Sequence, residues 1–155
     1  MPEIYEMAGH LIRRLNQISV AIFADRMTRE GYDLTPVQFA TLSAIETAPG
    51  IDQATLAGTI AYDRATIGGV VDRLEQKGLI ERTISEKDRR ARTLHLTPAG
   101  QTLLDDVRPH VWDLQNEILA GLDEKEQEQF LALARKATDA GNALARAPLQ
   151  PRGKR

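Results

Sequence analysis

A mainly α-helical chain with one small β-hairpin is the fold class this sequence predicts, and three observations carry the prediction. Apolar residues recur at helical spacing over most of the 155 residues. Thr or Asp stands just ahead of five of these segments, at Thr35, Asp52, Asp63, Thr97 and Asp123, where a side-chain oxygen can cap the free N–H groups of a first turn. Between Leu79 and Leu96 the apolar period changes to that of a strand.

The elements follow in order. Ile4, Met7, Leu11, Leu15, Ile18, Ile22 and Met27 form one stripe of a long amphipathic helix over 4–30, ending near Gly31. Thr35-Pro36-Val37-Gln38 has the form of a capping box with proline at the first helical position, and Leu34 and Phe39 flank it as a hydrophobic staple. This second helix should stop at Ala48-Pro49-Gly50. Asp52 opens a short third helix through about Thr59, and Asp63 opens a fourth over about 64–77, with Gly78 as its stop. Two helices joined this closely form a helix-turn-helix. Leu79–Ile84 and Thr93–Leu96 then read as strands joined by the polar run 85–92, a hairpin with a charged tip. Thr97-Pro98 starts a helix over about 99–121 with Pro109 inside it, and Asp123 with Glu126 starts the last. The tail 148–155 has the Pro/Gly/basic composition of disorder.

Composition bounds the function. With 42% apolar but only 5% aromatic residues, one aliphatic core and one domain are expected over 1–147. The absence of cysteine excludes disulfides, thiolate metal sites and thiol redox sensing. His10, His95 and His110 lack the spacing of metal ligands, and no phosphate loop, nucleophile elbow or catalytic His–carboxylate arrangement is found, so neither an enzyme nor a cofactor is expected. The opening Met-Pro-Glu-Ile-Tyr-Glu has no leader pattern and no stretch is long enough to span a bilayer, so a cytoplasmic location without membrane contact is expected. The net charge of −2 hides an uneven distribution. Residues 82–92 hold Arg82, Lys87, Arg89, Arg90 and Arg92 against Glu86 and Asp88, whereas 101–147 hold nine acidic and five basic side chains. A charge run is ordinarily a solvated face, and it matters here only if the hairpin aims it at a partner.

This order of elements is that of a winged helix-turn-helix with N- and C-terminal dimerisation helices (about 4–30 and 99–147) around a lobe at about 35–97. The chain resembles the MarR family of bacterial regulators over residues 5–147. The residues that carry the resemblance are Leu34-Thr35-Pro36-Val37-Gln38-Phe39, the run from Asp63 to Arg82, Asp88-Arg89-Arg90-Ala91-Arg92 and Leu96-Thr97-Pro98-Ala99-Gly100. One departure stands in the wing, where Ser85-Glu86-Lys87 replaces the Asp-Pro usual in the family.

A recognition helix of this kind enters the major groove with its N-terminal residues against base edges. Ile67, Val70, Val71 and Leu74 supply its core face, leaving Arg64, Ala65, Thr66, Gly68, Gly69 and Arg73 for DNA. Arg64 suits a bidentate contact to guanine, and Thr66 a polar group or a thymine methyl. Adjacent glycines each cost about 1 kcal/mol of helix stability, which a close approach of backbone to DNA would justify; packing against a bulky neighbour is the alternative. Arg89 and Arg90 suit a wing reaching into a narrow minor groove, with Asp88 holding the arginine in place. Thr35, Gln38, Gln53 and Thr55 sit at helix starts, as phosphate contacts, plain caps or both.

The resemblance implies a homodimer on palindromic operator DNA that a small anionic effector releases, and the phrases 9–15 and 62–66 resemble members that sense aromatic acids or their thioesters. His10 and Arg14 share a helical face where a carboxylate could sit, although a solvated pair or a bridge between subunits is the plainer reading. Trp112 suits stacking on an aromatic ligand or, alternatively, a dimer core. The rival to a DNA-binding repressor is a winged-helix adaptor for protein contacts, since fold alone does not fix function.

Overall fold

Each cap does at the atomic level what its side chain allows. In the computed structural model, which describes residues 1–151, six helices run α1 Ala8–Glu30, α2 Pro36–Thr47, α3 Gln53–Thr59, α4 Arg64–Gln76, α5 Pro98–Ile118 and α6 Glu124–Gly141. The Thr35 hydroxyl accepts from the N–H of Gln38 while Gln38 Oε1 accepts from the N–H of Thr35, and Asp123 and Glu126 build the same reciprocal pair before α6. Asp52, Asp63 and Thr97 cap α3, α4 and α5 through the N–H groups of Thr55, Thr66 and Gly100. Gly31 and Gly78 end α1 and α4 with φ of 82° and 72°, a conformation that favours a residue without Cβ.

The strands are β1 Ile51–Asp52, β2 Ile80–Ile84 and β3 Arg92–Leu96, in the antiparallel order β1-β3-β2. The hairpin pairs Ile80 with Leu96 and Ile84 with Arg92. β1 departs from the two-stranded expectation: Ile51 and Asp52 pair with Leu94 and Thr93, a long-range partner that no local period announces. α1 also departs, because Glu3–Glu6 form a separate 3-10 turn and Met7 is extended. The apolar stripe continues across that break, but Ile4 and Met7 remain exposed and no core holds them in one helix. α5 runs unbroken through Pro109, whose missing N–H leaves the carbonyl of Asp105 on the exposed side of the helix.

One core joins the lobe to the near halves of the flanking helices. Leu42, Ile45, Ile51, Leu56, Ile67, Val71, Leu74, Ile80 and Leu94 pack with Phe23 and Met27 of α1 and with Leu104, Val107, Val111 and Leu114 of α5. Arg26 of α1 reinforces this join by pairing with Asp113 at 2.6 Å and with Glu117, both on α5. Gly100 fixes where α5 leaves the sheet, since a Cβ there would stand 2.0 Å from the carbonyl oxygen of Leu79. Part of the tail 148–155 is described. Leu149 and Gln150 are held by hydrogen bonds to Asn142 and Gly58, and 152–155 lie outside the described residues.

Candidate nucleic-acid interface

α4 buries Ile67, Val71 and Leu74 and leaves Arg64, Ala65, Thr66, Gly69 and Arg73 exposed, with Gly68 half-buried. A Cβ at Gly69 would meet nothing within 4 Å, and one at Gly68 would meet only the side-chain amide of Gln53 at 3.5 Å. Packing against a bulky neighbour in this chain therefore does not explain the glycine pair, and the helix surface there is open to a close approach. Thr66 donates its hydroxyl proton to Asp63 Oδ2 at 2.9 Å, which leaves its methyl group and oxygen lone pairs for a partner. The carboxyl of Asp63 lies below the ordinary range because it accepts from the amide and hydroxyl of Thr66, against a smaller effect of burial and with help from the charge of Arg146. At Asp52 burial pushes the carboxyl upward, and the hydrogen bonds from Thr55, with those from the backbone of Asp52 and Ala54, together bring it below the ordinary value.

The wing turn is built by backbone capture. Ser85 Oγ accepts from the N–H groups of Lys87 and Asp88, Asp88 Oδ1 accepts from the N–H of Arg90 at 2.9 Å, and Ala91 N–H donates to Asp88 O at 3.0 Å. Asp88 thus holds Arg90 through its backbone, and among the described residues it makes no salt bridge to the Arg90 guanidinium. The same capture shows how Ser85 closes a turn that lacks proline. Arg89 and Arg90 are exposed at the tip. Between wing and α4 lies a groove of about 700 Å³ whose walls include Gln53, Arg64, Asp88, Arg90 and Arg92. Two basic elements distant in sequence thus converge. Arg92 joins them, a residue of the basic run to which the sequence alone gave no separate role.

Other candidates sort by burial. Thr35 is exposed at the start of α2, and Gln53 and Thr55 are half-buried at the start of α3. Gln38 is only 5% exposed, with its amide oxygen on the N–H of Thr35, so the capping role expected of it is present. Arg82 belongs to the basic run in sequence but is occupied by Asp72 at 2.6 Å and Glu75 at 3.1 Å, both on α4. No local pattern announces this ion pair, because it spans the helix and the strand after it.

His10, Arg14 and Trp112 do not share one site within the chain. His10 and Arg14 line a surface hollow of about 600 Å³ with Tyr5, Arg13 and Gln17. There His10 Nε2 is enclosed without a hydrogen-bond partner among the described residues, and Nδ1 lies 3.5 Å from Arg13 Nη2. Trp112, 72% exposed, borders a separate hollow of about 810 Å³ between α2, α5 and α6, with Phe39, Arg108, Leu131 and Arg135. No helix among the described residues is long and apolar enough to cross a membrane.

A helix-turn-helix whose second helix and adjoining wing share one basic groove defines a winged-helix protein of the DNA-binding kind. The MarR family model matches residues 34–91, which span α2 to the wing tip. The transcriptional repressor NicR of Pseudomonas putida is 34% identical over 137 residues, covering 88% of this chain and 85% of its own. The solved structure of BpsR from Bordetella bronchiseptica, whose DNA binding is regulated by 6-hydroxynicotinic acid, is similar with a TM-score of 0.77 and 31% identity over 84% of this chain and 97% of its own. The repressor CouR, solved on a 23-mer DNA duplex, gives a TM-score of 0.77 and 30% identity over 90% of this chain and 96% of its own. The chain belongs to the MarR family, and it is a DNA-binding transcriptional regulator of that family.

Proposed function

We propose that the protein represses transcription as a homodimer, seating paired α4 helices in major grooves about one helical turn apart on a palindromic operator. The observation that carries this reading is the convergence of Arg64 from α4 with Arg90 and Arg92 from the wing on a single groove. Arg64 and Thr66 read base edges, Gly68 and Gly69 admit the DNA backbone, and Arg89 and Arg90 reach the adjacent minor groove. Arg73, Thr35, Gln53 and Thr55 position the duplex through phosphates. The protein works in the cytoplasm by binding and not by catalysis, as one domain over 1–147.

Release follows from a small aromatic carboxylate or its thioester. Two things support this: a relative regulated by 6-hydroxynicotinic acid, and an enclosed imidazole nitrogen beside two arginines, an arrangement suited to a carboxylate. Trp112 faces a different hollow of the same chain, so a stacking role for it requires a second chain to bring the two together.

The test is fluorescence anisotropy on a palindromic duplex from the region upstream of the protein's own gene, with rising salt and then with 6-hydroxynicotinate and related acids. Steep loss of affinity with salt and release by an aromatic acid are expected. Absence of duplex binding would replace this reading with that of a protein adaptor, and indifference to the acids would remove the effector half.

A further inference from the structure

A third stretch of chain reaches the face that α4 and the wing present. Beyond α6 a short 3-10 turn, Asn142–Leu144, leads into an extended segment. Asn142 clamps that segment: its Nδ2 donates to Leu149 O at 3.0 Å and its Oδ1 accepts from Leu149 N–H at 2.8 Å. Gln150 N–H then donates to the carbonyl of Gly58 on α3 at 2.8 Å. Gly58 makes room for this, since a Cβ there would stand 3.1 Å from Gln150 Oε1 and 3.2 Å from its Cβ. The segment is thereby laid beside the turn of the helix-turn-helix.

Charge continues along the same line. The docked segment walls a hollow of about 210 Å³ in which Arg146 and Gln150 face Tyr62, Asp63 and Arg64. Arg64 also borders the wing groove with Arg90 and Arg92, so it stands between the two hollows. Basic residues therefore follow one another from the wing, across the start of the recognition helix, to Arg146. Arg146 is exposed; its charge acts on the Asp63 carboxylate across the hollow, but among the described residues no carboxylate lies at salt-bridge distance from it. After Asp139 the sequence carries Arg146, Arg152, Lys154 and Arg155 and no acidic side chain.

We infer that the segment following α6, anchored by Asn142 and Gly58, delivers Arg146 to a phosphate flanking the recognition helix. The inference rests on the DNA-binding reading above and adds a contact outside the winged helix. A cation that neutralises a phosphate releases a counterion, so removing one such cation lowers the slope of log K against log salt by about 0.9, whatever the sequence bound. A segment that merely packs has no such signature.

The test compares the parent chain with Arg146→Gln and Arg146→Lys on a mixed-sequence labelled duplex, from about 50 to about 200 mM NaCl. Arg146→Gln should lower the slope by about 1 per bound protomer, with Arg146→Lys retaining the parent slope and both thermal midpoints unchanged. A parent-like slope in Arg146→Gln would overturn this contact while leaving the DNA reading intact, as would weaker binding with an unchanged slope. A parent chain that binds no duplex would overturn both.

Discussion

The winged lobe and the far ends of the chain obey different rules. Every strand and helix from α2 to β3 buries apolar side chains within the chain itself, and α1 and α5 do so only where they meet that lobe, at Phe23, Met27 and Leu104 to Leu114. Toward its N-terminus α1 exposes Leu11, Ile12, Ile18 and Val20, α6 has no buried residue while showing Leu131 and Leu133 to solvent, and Trp112 lies open beside it. The lobe is complete as folded. The ends present amphipathic faces sized for another helical surface, which is why a second copy of the chain enters the proposed function.

The strongest way to break the contrast is at the join between the lobe and α5. Gly100→Val drives a side chain into the carbonyl of Leu79, and chemical denaturation should show a loss of about 3 kcal/mol or more. A milder loss would mean that the join between sheet and α5 yields easily to an added side chain. At the ends, Leu131→Asp should leave the lobe folded, shift the protein toward single chains in sedimentation, and weaken duplex binding by about 100-fold through loss of the paired half-sites. A dimer that survives this change would move the interface away from α6. Within the lobe, Arg64→Ala should reduce discrimination between related duplexes by about 1–3 kcal/mol, while Arg90→Ala should weaken all of them alike and flatten the salt dependence. Equal behaviour of the two variants would contradict the division between base reading and minor-groove contact.

The smallest effect concerns acid. The folded carboxyls of Asp52 and Asp63 lie below their ordinary values, so the stability they add is complete above about pH 4 and is lost as pH falls through the depressed folded values. Asp63→Asn keeps a capping side chain without that titration, and its thermal midpoint should fall less than the parent's over the same acid range.

What sequence could reveal divides along the same boundary between local and distant chemistry. Caps at Thr35, Asp52, Asp63, Thr97 and Asp123 were legible because donor and acceptor lie within one turn. The core face of α4 was legible because its period is local too. β1 was not, since two residues become a strand only when Leu94 and Thr93 arrive beside them. The burial of Gln38 and the capture of Arg82 by Asp72 and Glu75 likewise depend on tertiary neighbours. So does the docking of Leu149 and Gln150, whose composition resembles that of free chain. The basic wing was visible as a charge run, but its convergence with Arg64 was a property of the fold.

The bridge from Arg82 to Asp72 and Glu75 bears on how this protein is regulated. It rivets the root of the hairpin to the reading helix, so bending one against the other means breaking two charge pairs together. Control is then easiest through geometry on a larger scale, by changing the separation and tilt of two rigid reading heads so that they fall out of step with the pitch of the double helix.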